Sequence, residues 1–205
     1  TGRDNPANAQ LRQLPVELLL ERGARRVEAG FVQQPALRGE LHGVLAGAFL
    51  EMASYRFAAE QATKQIEVLD RIDAPEADRA DARLLLARAL ASEGKLAEAE
   101  STARAAAGLG TLTADSLSRA RLVLCEILIK RAQYPAAMLE LEQIRAAAGG
   151  EANLNPRMRI ETATLHAEIL RLTNRLDEAI ALLRRAIDLT LIVEGPQSSR
   201  AIDTH

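Results

Sequence analysis

The sequence predicts an all-α protein, an α-α superhelix of stacked antiparallel helix pairs. Three observations predict it. First, the 205 residues include 39 alanines and 32 leucines, against 18 valines and isoleucines together. The abundant residues favour helix and the β-branched residues that favour strands are scarce. Second, the apolar residues recur at helical spacing. Leu84, Leu85, Ala87, Leu90 and Ala91 form one stripe, and Leu122, Leu124, Ile127, Leu128 and Ile129 another. Third, the segments beginning at Leu45, Leu86, Leu124 and His166 align without gaps, and their alanines Ala58, Ala99, Ala137 and Ala179 are spaced 41, 38 and 42 residues. A period of this size means an array of supersecondary units.

The elements follow in order. A first helix runs from about Pro15 to Ala29. Helix pairs are expected at 36–53 and 55–71, 76–93 and 95–107, 113–132 and 134–148, and 156–173 and 176–193. This gives an N-terminal segment and capping helix over 1–34 and four repeats over 35–194 (36–71, 76–107, 113–148 and 156–193). Residues 195–205 begin a truncated fifth repeat. Pro15, Pro35, Pro75, Pro135, Pro156 and Pro196 each precede an apolar run, where the missing N–H has no intrahelical partner to lose. Gly149-Gly150, and Gly108 with Gly110, read as helix ends or loops. Small residues (Ala46, Ala87, Cys125, Ala167, then Ala58, Ala99, Ala137, Ala179) let the two axes of each pair approach closely. Tyr55, Leu96, Tyr134 and Leu176 plug the gap at each turn.

Composition also excludes functions. With no Trp, two Tyr and three Phe, there is no base-stacking platform and no large aromatic ligand pocket. Lys plus Arg is 26 and Asp plus Glu is 28, interspersed, so no basic face for nucleic acid is expected. The chain carries no apolar run of about 18 residues, so no membrane insertion by this fragment is expected. It opens without Met or a signal peptide and reads as a piece of a longer protein. Gly94-Lys95 is followed by Leu96 and cannot be a phosphate loop. His42 and His166 fall in different repeats and His205 is terminal, so no metal site is expected, and His166 reads as a partly buried packing residue. Cys125 occupies a small-residue packing position and reads as a buried thiol rather than a nucleophile. No catalytic residue, metal or cofactor is expected, and the fragment reads as not an enzyme.

The segment Asn174-Arg-Leu-Asp-Glu-Ala179 and its continuation to Ile187, with Gly94-Lys-Leu-Ala-Glu-Ala99, resembles the tetratricopeptide repeat (TPR) family over residues 36–193. The period exceeds the usual 34 residues. These lengthened repeats resemble the kinesin-light-chain-like subclass, in which Gly-Pro often opens a repeat, as Gly195-Pro196 does here. Upstream, Gly2-Arg3, Glu17–Glu28 and Gln34–Leu41 resemble the segment leading into the repeats of bacterial serine/threonine protein kinases. That resemblance implies a docking or sensor arm of a signalling protein. The location stays open: cytoplasmic, or extracytoplasmic if the parent is a membrane-spanning kinase. An effector module of a transcriptional regulator is an alternative, and an enzyme with a site in the superhelix channel a third.

In the TPR family the first helix of each pair lines a concave groove that binds protein or peptide. The resemblance places on that face Gly43, Gly47, Leu50, Leu84, Arg88, Leu122, Glu126, Ile129, Lys130, Glu168, Arg171 and Leu172. Such a lining of aliphatic residues and alternating charges suits an amphipathic helix or an extended peptide. The alternative reading is a solvated face whose aliphatics pack within their own repeats. Arg88, Lys130 and Arg171 would meet an acidic partner. The carboxylate-clamp pattern and the Asn-rich groove of kinesin light chains are both absent. Gly39, Gly43 and Gly47 share one helix face, over which the first helix, or else residues 1–14 or a partner segment, would pack. Leu182, Leu183, Ile187 and Leu191 lack a next neighbour, which predicts a homodimer through the C-terminal end.

Overall fold

Proline and polar caps start the helices where the periodicity places them. The structure is a computed structural model that describes residues 16–150 and 153–194, with the side chains of 18–150, 153–185 and 188. Its helices are α1 (Val16–Gly30), α2 (Pro35–Glu51), α3 (Tyr55–Arg71), α4 (Glu76–Ser92) and α5 (Leu96–Ala107). They continue with α6 (Ala114–Lys130), α7 (Tyr134–Ala147), α8 (Pro156–Leu172) and α9 (Leu176–Glu194). No strand occurs among the described residues. The segment 1–15 and the fifth repeat at 195–205 lie outside the described residues, as do the side chains of Ile187 and Leu191.

At α8, Asn155 accepts the Met158 N–H at 2.8 Å, with Pro156 in the first turn. At α6, the Thr113 hydroxyl accepts the Ser116 N–H at 3.2 Å. Each cap satisfies an orphan donor and is worth about 1 kcal/mol.

The four turns inside the repeats share one geometry. Ala53, Gly94, Ala132 and Asn174 occupy equivalent positions and have φ of 57°, 89°, 57° and 61°. In each turn the next residue donates its N–H five residues back. The pairs are Ser54 to Phe49, Lys95 to Leu90, Gln133 to Leu128 and Arg175 to Leu170, at 2.8–2.9 Å. This bond closes a helix end through a left-handed residue. Gly94 adopts that conformation without steric cost, and Asn174 tolerates it. Ala53 and Ala132 are held in it by the turn.

Packing follows the small residues. Ala46, Ala58, Ala87, Ala99, Cys125 and Ala137 are completely buried, and Ala167 and Ala179 nearly so. Each helix packs on its partner, so α2 lies on α3, α4 on α5, α6 on α7 and α8 on α9. The turn plugs differ from expectation in one place. Tyr55, Leu96 and Tyr134 are half-buried, whereas Leu176 is 52% exposed. Among the described residues no later helix covers it.

The glycine face also differs from expectation. A methyl on Gly39 would meet Val68 and Leu69, one on Gly43 would meet Gln65, and one on Gly47 would meet nothing within 4 Å. The first two glycines therefore face α3, not α1. The first helix packs on α2 elsewhere, through Ala24 and Val27 against Leu45 and Phe49.

A polar node recurs at one register position of the first helices, occupied by His42, Arg83, Arg121 and Ala163. Arg83 reaches back to Asp70 on α3 at 2.9 Å. Arg121 reaches Glu140 on α7 at 2.9 Å. His42 does both, with Gln61 on α3 and Glu28 on α1. Ala163 carries no node. The chain divides into two units, 1–111 and 112–205, holding α1–α5 and α6–α9.

Candidate protein-docking site

The open side of the first helices can be read from exposure at repeating positions. On α2 the positions are Leu37, Glu40, Val44, Gly47 and Glu51. On α4 the equivalent positions are Asp78, Asp81, Leu85, Arg88 and Ser92. Val44 is 69% exposed and Leu37 37%. Exposed carboxylates at Glu40, Glu51, Asp78 and Asp81 surround these aliphatics, with Arg88 as a cation among them. In this first unit the face is apolar at its centre and acidic at its rim.

The expected groove residues distribute unevenly over the structure. Gly47 and Arg88 lie on the open side. Gly43 is turned into α3, and Leu50 is half-buried against the Phe49 cluster. Leu84 is 7% exposed and Leu122 4%, so both are interior residues that a groove ligand would not reach. On α2 and α4 the next position along is the more open one, because adjacent side chains on a helix point about 100° apart, whereas Val123, which follows Leu122, is buried as well. Val44, one position beyond Gly43, is exposed, and Leu85, one beyond Leu84, is half-buried.

In the second unit Lys130, Arg171 and Leu172 are exposed, and Glu126, Ile129 and Glu168 are half-buried. Arg171 is already engaged, its Nη2 and Nε donating to Glu168 at 2.6 and 2.8 Å. That bonding holds the Glu168 carboxyl below its ordinary value. The pair reduces the charge Arg171 can offer an acidic partner.

The first unit also carries two clefts, one on each flank of α3. The cleft between α3 and α5 has a volume of about 700 Å³, with Leu86 and Leu90 at its base and Ala59, Thr63, Ala97 and Ser101 along its walls. The cleft between α1 and α3 has a volume of about 420 Å³ and is lined by Phe49 and Phe57. Their rings stack with centroids 5.4 Å apart.

A polar chain runs beside that second cleft. Gln61 Oε1 accepts from His42 Nδ1 at 2.9 Å, and both residues are at least 98% buried. His42 Nε2 stands 3.6 Å from a Glu28 oxygen. Lys64 Nζ lies 3.2 Å from Glu28 and 3.1 Å from Glu60. Burial of Lys64 disfavours its charge, but the bonds and fields of Glu60 and Glu28 more than offset this, so it titrates above its ordinary value. No single sequence signal marks this chain. Only the register, which sets His42 beside Arg83 and Arg121, points to it.

Cys125 and His166 both sit in packed surroundings. Burial pushes the Cys125 thiol up to about 12, with Glu126 and Glu140 adding to the effect. The half-buried His166 accepts a bond from Arg145 at Nδ1, 3.2 Å away. No group of three metal-ligating side chains occurs among the described residues. No helix among them is long and apolar enough to cross a membrane.

No protein-family model and no curated protein matches the chain. Among solved structures it is similar to a variant of a Podosopora anserina protein described as a kinesin light chain with nearly identical TPR-like repeats. The TM-score is 0.67 at 18% identity, over 93% of this chain and 91% of that one. It is also similar to BtubC (BKLC) from P. vanneervenii, with a TM-score of 0.56 at 16% identity, over 89% of this chain and 75% of that one. The fold is thus all-α and of the TPR-like solenoid class.

Proposed function

We propose that the chain is a non-catalytic protein–protein interaction scaffold, the docking or sensor arm of a larger bacterial signalling protein such as a serine/threonine kinase. TPR-like structural neighbours support the scaffold reading. The observation that carries it is the open side of α2, where Leu37 and Val44 are exposed between carboxylates on a helix clamped from behind by α3. Exposed aliphatics at helical spacing, rimmed by charge, mark a surface that gains by being covered. The ligand is a protein or peptide with an aliphatic anchor and basic flanks. This replaces the acidic ligand expected from Arg88, Lys130 and Arg171, because carboxylates outnumber Arg88 on the first unit's face and Glu168 holds Arg171.

The kinase context rests on the resemblance of residues 2–41 to kinase segments that lead into repeats. Pulldown from lysate tests the docking reading. Val44→Asp and the pair Glu40→Lys/Glu51→Lys should each lose the partner while circular dichroism shows an unchanged helix content. Retention of the partner by both variants defeats this reading.

A further inference from the structure

The cleft between α1 and α3 lies away from the proposed docking face and is built differently. Its aromatic wall is the half-buried ring of Phe57, backed by the fully buried Phe49 that stacks against it. Glu28 comes from one wall and Glu60 from the other, and a single ammonium, that of Lys64, meets both at 3.2 and 3.1 Å. The two carboxylates are therefore spaced to share one cation. Glu28 is backed by His42, which is itself fixed by Gln61, and both of these residues are almost fully buried. Glu21 adds a third carboxylate, whose partner Arg25 is 72% exposed and 3.8 Å away. The lining holds Glu21, Glu28 and Glu60 against Arg25 and Lys64, an excess of one negative charge.

We propose that this cleft binds the side chain of an arginine presented by a partner peptide. A guanidinium is flat, donates in a fixed fork, and stacks on aromatic faces. It can bridge Glu28 and Glu60 with paired bonds that an ammonium cannot form. Lys64 holds the position in the free protein on a flexible, partly exposed stem, and swings out when the guanidinium enters. The volume of about 420 Å³ lies within the range of small-ligand sites.

The test is titration of N-acetyl-arginine amide into the ¹⁵N-labelled chain, with N-acetyl-citrulline amide as the neutral isostere. The arginine compound should give saturable amide shifts centred on α1 and α3 and, on α2, on the neighbourhood of Phe49, and the citrulline compound none. Lys64→Met removes the internal competitor and should tighten binding by about threefold, the size of an exposed ion pair. Glu60→Gln removes half of the bridge and should weaken binding by at least about fivefold. Both positions are partly exposed, and thermal melting confirms that each variant is folded. Shifts that do not saturate, equal shifts with citrulline, or binding that either variant leaves unchanged overturn the proposal. Because none of the residues that line the cleft belongs to the docking face, the docking reading stands or falls separately.

Discussion

The three glycines of α2 offer a graded test of the packing. Alanine at any of these positions would favour helix by about 1 kcal/mol more than glycine does. What the added methyl meets differs at each position. At Gly47 it meets nothing within 4 Å. Gly47→Ala should therefore gain the full propensity difference of about 1 kcal/mol, raising the melting temperature of a unit this size by about 4–8 °C. At Gly43 the methyl lands 2.5 Å from Gln65 Nε2, the far end of a flexible side chain. The Gln65 Oε1 atom is buried without a hydrogen-bond partner, so displacing this amide breaks no bond at that oxygen. Gly43→Ala should be close to neutral. At Gly39 the methyl meets Val68 Cγ1 at 3.3 Å and Leu69 Cδ2 at 3.5 Å. Both side chains are buried, so overpacking at a typical cost of about 1–3 kcal/mol outweighs the gain. Urea unfolding gives the order, and hydrogen exchange at the buried Ala46 and Ala58 amides reports the first unit specifically. Three equal responses, or a destabilising Gly47→Ala, would refute the assignment of these glycines to α3 and to open space.

Three further outcomes follow from the turns, the buried thiol and one loop. Ala132→Gly should stabilise the second unit by about 1 kcal/mol, because a left-handed alanine is strained and glycine is not; a loss of stability on urea unfolding would contradict the turn geometry. Cys125, with its thiol pushed up to about 12, should resist a thiol reagent at neutral pH until urea unfolds the second unit; rapid modification of the folded chain would show that α6 is misplaced. The Thr111 hydroxyl and N–H both donate to Glu76 at 2.7 Å and hold its carboxyl below the ordinary 4.5. A depressed folded value stabilises above the unfolded value and is lost as pH falls through the folded one, so exchange protection of the Thr111 amide should persist at neutral pH and fade below about 4.5. Glu76→Gln should remove that pH dependence.

Much of the fold was legible because punctuation and periodicity agree. Pro35, Pro75, Pro135 and Pro156 stand at helix starts, and the predicted helix bounds fall within two residues of the structure. The buried alanines were legible because a small residue recurring at a fixed period has one common cause, the close crossing of two helices. The turn residues Ala53 and Ala132 were not, since alanine carries no local signal for a left-handed backbone. Only their alignment with Gly94 and Asn174 reveals them. Of the residues expected on the groove, Leu84 and Leu122 are buried in the structure, while the exposed Val44 carried no signal of its own in the sequence. An aliphatic at an open position looks the same in sequence as one in the core. The chain from Gln61 through His42 to Glu28 and Lys64 joins three helices, and which polar residues meet across helices depends on tertiary packing.

The central claim is that the open side of the first helices carries the docking function. Site-specific photo-crosslinking tests it most directly. A benzophenone side chain placed at Val44 or Leu85 should capture the partner, and the same group at Glu67, exposed on α3, should not. Capture at Glu67 with none at Val44 or Leu85 would contradict the claim.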